Sequence, residues 1–141
     1  MCAMVLDIQS EVRNAFEELR KSRTPNHCII LAPEVDTLSV KLLEEHKEGL
    51  SLDDVASKLP KSQPRFIITM PERVHKDGRK SYPIVMIAYC PPGLSPQVNI
   101  VYSNSRIQLA KDLNLQSVWE IKKKYQLGDE EMAEKFETNK W

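Results

Sequence analysis

The chain reads as an α/β protein of the α+β type, a central mixed β-sheet flanked by helices on both faces. Three observations point there. Two apolar runs of strand length, Phe66–Met70 and Ile84–Tyr89, bracket an Asp77-Gly78 turn and read as a hairpin. A segment ending near Lys21 and a longer one from about Pro96 to Leu113 carry apolar residues at helical spacing. Strand and helix patterns then interleave in the order α-ββ-α-ββ-α-β-α. No repeat, low-complexity linker or composition break divides them, so residues 1–141 are expected to form a single domain.

Each element has a local reason. Ile8, Val12, Ala15, Phe16 and Leu19 share one face of the first helix, with Asp7 placed to cap its first turn and the pattern lost before Pro25. Cys28–Leu31 and Leu38–Leu42 read as a strand pair joined through Pro33 to Asp36. Ser51-Leu52-Asp53-Asp54 resembles a capping box and opens a short helix carrying Leu52, Val55, Ala56 and Leu59, which Pro60 stops. After the central hairpin, the segment Pro91 to Pro96 breaks the strand and the long helix begins. Val118–Ile121 alternates as a last strand. Gly128 precedes a C-terminal helix that is acidic in its first turn, with Met132 and Phe136 one turn apart.

Composition excludes several classes. The 141 residues are 41% hydrophobic and 28% charged, ordinary for a globular domain with a proper core. Twenty basic residues balance twenty acidic ones, so no global field recruits nucleic acid or an anionic membrane. The longest apolar run, Ile84 to Cys90, falls far short of the roughly 20 residues that span a bilayer. The apolar start, Met1 to Leu6, has no basic flank or small-residue cleavage site, so a signal peptide is not expected. Cys2, Cys28 and Cys90 have no metal or redox spacing, which fits a reduced cytosolic chain.

The long helix carries the sharpest clue. At about 100° per residue, Val98, Val101, Tyr102, Ser105 and Leu109 cluster on the face that should pack on the sheet. Ile100, Asn104, Ile107 and Lys111 fall nearly opposite. Scattered surface isoleucines are common. Two of them a heptad apart also suit a helix laid into a partner's apolar groove.

Gln63-Pro64-Arg65-Phe66 and the later Asp77-Gly78-Arg79-Lys80-Ser81-Tyr82-Pro83 together resemble the glia maturation factor family. That family is a branch of the actin-depolymerising factor homology (cofilin-like) fold, so the resemblance implies a single domain of that fold. It covers nearly the whole chain and is strongest from about Leu59 to Ile121. It implies a binding protein with no catalytic residues. Ile100-Val101-Tyr102-Ser103-Asn104-Ser105-Arg106 aligns with the start of the family's partner-binding helix, with Ile100 at its apolar anchor and Arg106 at its usual basic position.

The resemblance also discriminates within the fold. Cofilin-type members usually carry two basic residues where this chain has Gln97 and Asn99. Losing two charge-assisted contacts removes roughly 1.5–3 kcal/mol each at a buried interface. Direct filament severing is therefore disfavoured. The glia maturation factor branch implies binding of the actin-related protein 2/3 complex, with debranching and inhibition of branched nucleation. A first surface would comprise Lys21, Arg23, Ile100, Asn104, Arg106, Ile107 and Lys111, with Arg20 weaker. A second, toward the first actin subunit of the daughter filament, would comprise His75, Lys76 and Arg79 with Glu130, Glu131 and Glu134. Each of these charges also has a plain reading as a solvated turn or a helix end matched to its dipole. Lys122-Lys123-Lys124 reads as a solvated connector, and Arg65 as a partner for a carboxylate at the core's edge. The implied setting is the cytoplasm at branched cortical actin, with a nuclear fraction allowed, and the expected state is a monomer. Cys2 and Ala3 stand where the family often has a phosphorylatable serine, and the ending at Trp141 departs from its short aromatic terminus.

No enzyme is expected. His27, His46 and His75 fall in three different elements without metal-ligand spacing, and no nucleophile elbow or phosphate-cradling loop is present. Neighbouring Glu44 and Glu45 on a strand point to opposite faces. No cofactor is called for. The alternatives are a cofilin-like or coactosin-like protein binding actin monomers or filaments directly, and a small scaffold that docks another protein without acting on actin.

Overall fold

The computed structural model describes residues 6–22, 24–123 and 126–138; Arg23, Lys124, Cys2, Ala3 and Trp141 lie outside them. The side chain of Phe136 also lies outside what is described. The elements are β1 (Asp7–Ile8), α1 (Ser10–Lys21), β2 (Cys28–Glu34), β3 (Ser39–His46), α2 (Leu52–Lys58) and β4 (Arg65–Thr69). They continue with β5 (Arg73–Val74), β6 (Lys80–Ser81), β7 (Val85–Tyr89), α3 (Pro96–Asp112), β8 (Ser117–Ile121) and α4 (Asp129–Thr138).

Six strands form a mixed sheet in the order β1-β3-β2-β4-β7-β8. The inner pairs are antiparallel and the two outer pairs parallel. Helices cover both faces, so the central strands are apolar throughout instead of alternating with polar residues. On one face Ile29, Leu31, Phe66, Ile68 and Met86 pack against Val12, Phe16 and Leu19 of α1 and Tyr102 and Leu109 of α3. On the other, Ile30, Ile67, Val85 and Ile87 meet Leu52 and Val55 of α2 and Met132 of α4.

Two helix starts follow the sequence closely. The Ser51 hydroxyl accepts from Asp54 N at 3.2 Å to open α2, and the Ser95 hydroxyl accepts from Val98 N at 3.3 Å to open α3. The first helix differs. Asp7 does not cap it, because Asp7 and Ile8 are extended and pair in parallel with Ser39 and Val40. The helix then begins after Gln9 with no side-chain cap.

The hairpin also needs amending. β4 and β7 pair in register from Arg65↔Tyr89 to Thr69↔Val85. The Asp77-Gly78 turn does not join them directly; it closes a separate two-stranded ribbon, β5 with β6. Gly78 takes φ 89° at its tip.

Candidate functional site

The outer face of α3 is set by its inner face. Val101, Tyr102, Ser105 and Leu109 are buried, and the Tyr102 ring stacks on Phe66 of β4 with centroids 5.4 Å apart and planes within 5°. That rotation leaves Ile100 52% and Ile107 62% exposed on the opposite side, with Asn104 half-buried between them and Lys111 exposed a turn further on. The Asn104 amide donates to Ile100 O at 2.8 Å, one turn back along its own helix. Val98, read as inner-face, is only half-buried and borders a hollow with Pro33 and Arg65.

Arg106 points to the side of this face. Its Nε lies 3.6 Å from Glu120 Oε2 on β8. Glu120 pairs in register with Ala88, which places it on the α3 side of the sheet together with Val118. The buried Tyr102 hydroxyl sits near the same carboxylate; burial first, and then the Glu120 charge, push its titration well above the usual phenol range. Sequence reasoning missed Glu120. Its phase along β8 is the signal that could have found it.

Lys21 lies toward the opposite end of the sheet from Ile100. It borders a hollow with Arg20, Met70 and Tyr82, at the end of the sheet marked by Thr69↔Val85. The first turn of α3 lies at the other end, where the Asn99 amide donates to Leu94 O and the Cys90 thiol approaches Asn99 Oδ1 at 3.8 Å. About 25 Å of helix, at 1.5 Å per residue, separates the two ends. The remaining first-surface cation from the end of α1, Arg23, lies outside the described residues. Arg20 itself pairs with Glu17 at 2.7 Å.

The second candidate surface is brought together in part. His75, Lys76 and Arg79 line a hollow of about 710 Å³ that Ala133 of α4 also borders. Several ribbon charges are engaged within the ribbon: Arg79 Nε donates to Asp77 Oδ2 at 2.6 Å, Lys80 pairs with Glu72 at 3.6 Å, and a His75 ring nitrogen meets the Ser81 hydroxyl at 2.9 Å. The Arg79 backbone and side chain together hold the Asp77 carboxyl below its ordinary range. Glu130 and Glu134 are exposed on α4 but do not line the hollow, and Glu131 turns back toward Gly128.

Other residues read as chemically idle. Among the described residues Arg65 pairs with no carboxylate; it donates to Pro64 O at 2.8 Å and Gln63 Oε1 at 3.1 Å, so Gln63 to Arg65 is a self-braced corner. Burial pushes the Cys28 thiol up to about 12, which removes its nucleophilic form. Glu44 and Glu45 do face opposite ways, toward Lys58 of α2 and toward buried His27. Lys122 and Lys123 belong to a turn whose backbone N–H groups both donate to Gln126 Oε1. Among the described residues no cluster of three or more His, Cys, Asp or Glu could hold a metal, and no helix is long and apolar enough to cross a membrane.

Comparison with known proteins agrees with this layout. Residues 5–137 match the family of cofilin/tropomyosin-type actin-binding proteins. Human glia maturation factor beta is 37% identical over 136 residues, covering 94% of this chain and 93% of the human one. The solution structure of glia maturation factor from Caenorhabditis elegans superposes with a TM-score of 0.78 at 25% identity, covering 96% of this chain and 99% of that one. A coactosin crystal structure from Entamoeba histolytica reaches 0.79 at 16% identity, covering 94% and 95%, a likeness of fold alone. Backbone similarity thus does not separate the branches of this fold, whereas sequence identity does.

Proposed function

The chain belongs to the glia maturation factor branch of the cofilin/tropomyosin-type actin-binding family, and from that premise we propose that it acts on the actin-related protein 2/3 complex. It is an actin regulator of the actin-depolymerising factor homology fold, and its relatives act by binding. In this reading the outer face of α3 docks an actin-related subunit of the complex at a filament branch. Ile100 and Ile107 enter an apolar groove, and Asn104 and Lys111 set the orientation. The ribbon and α4 supply a weaker second contact to the first actin subunit of the daughter filament. No bond is made or broken. Tighter binding to the free complex than to the intact junction drives branch release and suppresses new nucleation.

The observation that carries the proposal is the pair of isoleucines a heptad apart, both more than half exposed on a helix whose other face is buried. Asn99 adds support. It stands where a filament-severing relative has a cation, and its amide is engaged with Leu94 and Cys90 of its own chain. The reading places the protein in the cytoplasm at branched actin networks, working as a monomer. Binding to purified actin-related protein 2/3 complex in pull-down, set beside co-pelleting with bare actin filaments at two salt concentrations, tests it. Capture of the complex with little filament pelleting supports the proposal. Filament pelleting alone would make the protein a direct filament binder of the cofilin or coactosin kind.

A further inference from the structure

Arg106 sits one residue before exposed Ile107 and one turn after Tyr102. Its Nε is buried without a hydrogen bond, 3.6 Å from Glu120 Oε2, yet its side chain as a whole keeps 37% exposure and that of Glu120 40%. Glu120 is the one carboxylate within ion-pair distance of Arg106 among the described residues. No hydrogen bond among them engages either terminal nitrogen, and neither of those is buried. The guanidinium is therefore turned edge-in, with its Nε side toward Glu120 and its Nη pair toward solvent beside the isoleucine face. A guanidinium is a rigid planar fork, so fixing one edge fixes the direction of the other.

We propose that Glu120 is a positioning residue, which aims the Nη pair of Arg106 so that it takes a partner carboxylate through two parallel hydrogen bonds. The inference rests on the docking role given to α3 above and adds the residue that orients its cation. A carboxylate fits because it accepts both N–H groups of the fork at once, whereas a lone carbonyl or hydroxyl accepts less well. Ile107 alongside excludes water from the pair and strengthens it. Lys111, further along the helix, contributes charge without direction.

The test is equilibrium binding of the full chain to purified actin-related protein 2/3 complex at two salt concentrations. The proteins are wild type, Glu120→Gln, Arg106→Lys, Arg106→Ala and the double variant Arg106→Ala with Glu120→Gln. Glu120→Gln keeps shape and removes charge, so it should weaken binding about three- to tenfold with an unchanged melting temperature. In the Arg106→Ala background the same change should cost nothing, because Glu120 acts through Arg106. Arg106→Lys should fail to restore wild-type affinity, since an ammonium has no fork. Wild-type affinity for Glu120→Gln, an equal loss in both backgrounds, or full activity with lysine would each overturn the proposal. The aiming has its own readout should the wild type not bind the complex at all, a result that would sink the docking reading separately. Exchange of the Arg106 Nε proton with water, followed by NMR, should be several-fold slower in wild type than in Glu120→Gln. Equal rates would overturn the positioning role whatever the complex does.

Discussion

Phe66 and Tyr102 lie face to face, 5.4 Å between ring centroids, and this contact couples strand β4 to the rotation of α3. The outward isoleucine face is thus fixed by a core contact on the far side of its own helix. The Tyr102 hydroxyl, however, is buried beside the Glu120 carboxylate without a well-formed hydrogen bond among the described residues. Replacing Tyr102 with Phe should keep the stack and remove an unpaid desolvation, leaving stability unchanged or up to about 1 kcal/mol higher. Replacing it with Ala should cost about 3–5 kcal/mol. Thermal and denaturant unfolding of the two variants check this, and a large loss in the Phe variant would mean the hydroxyl is bonded in solution.

The isoleucines should behave in the opposite way. Ile100→Ala with Ile107→Ala removes little from the core, so stability should change by no more than about 0.5 kcal/mol. Affinity for the actin-related protein 2/3 complex should fall by about tenfold or more if these are the buried anchors of the interface. Calorimetry beside a binding titration separates the two effects. A destabilised variant that binds normally would contradict the assignment of faces.

His27 predicts a pH dependence. It is 3% exposed, neither ring nitrogen is hydrogen-bonded among the described residues, and Nε2 stands 4.0 Å from Glu45 Oε1. Glu18 of α1, Glu45 of β3 and Lys47 just after that strand are charged groups around it. Burial lowers its pKa first, Glu18 opposes that, and Lys47 adds to it. The unfolded chain takes up this proton near pH 6.5 and the folded chain only at lower pH, so stability should decline as pH falls below about 6.5. Glu45 works in the other direction: burial and Glu18 raise its pKa, so the folded state protonates earlier and regains stability further down, toward the ordinary carboxylate range. Melting temperatures between pH 7 and 5 should fall in wild type and flatten in His27→Gln. Parallel curves would show that His27 takes up its proton at the same pH in the folded and unfolded chains, against the effect of its burial.

Two glycines at positive φ should respond differently to alanine. Gly49 has φ +98°, and a Cβ there would come within 2.7 Å of Pro25 O. Gly78 has φ +89° with no atom within 4 Å of the added carbon. Gly49→Ala should cost about 1–3 kcal/mol and more than Gly78→Ala, which carries backbone strain alone. Denaturant midpoints of the two variants decide the order.

The parts of this molecule that were legible in its sequence are those governed by local pattern. The buried stripe Val101, Tyr102, Ser105 and Leu109 and the opposing Ile100 and Ile107 follow from helical spacing alone. The strands β4 and β7 follow from apolar runs, the start of α2 from a serine with the right neighbours, and that of α3 from the strand-breaking segment Pro91 to Pro96. What escaped depends on contacts distant in sequence. Asp7–Ile8 is too short to show a period, so its pairing with Ser39–Val40 could not outweigh the capping reading of Asp7. Arg65 sits beside Gln63, whose amide oxygen displaces the expected carboxylate as acceptor. Lys21 and Ile100 belong to different ends of the sheet, a separation that only the packing of α1 over β2 and β3 and the course of α3 after β7 reveal. Arg106 and Glu120 meet because α3 lies over β8, which neither segment announces by itself.

The most direct test of the central claim is the lifetime of single branches on preformed branched actin filaments, imaged with and without the protein. Wild type is expected to shorten branch lifetime in a dose-dependent way and to leave unbranched filaments intact, and the Ile100→Ala, Ile107→Ala variant to leave branches and filaments alike unaffected. Unchanged branch lifetimes, or severing of unbranched filaments at the same dose, would contradict it.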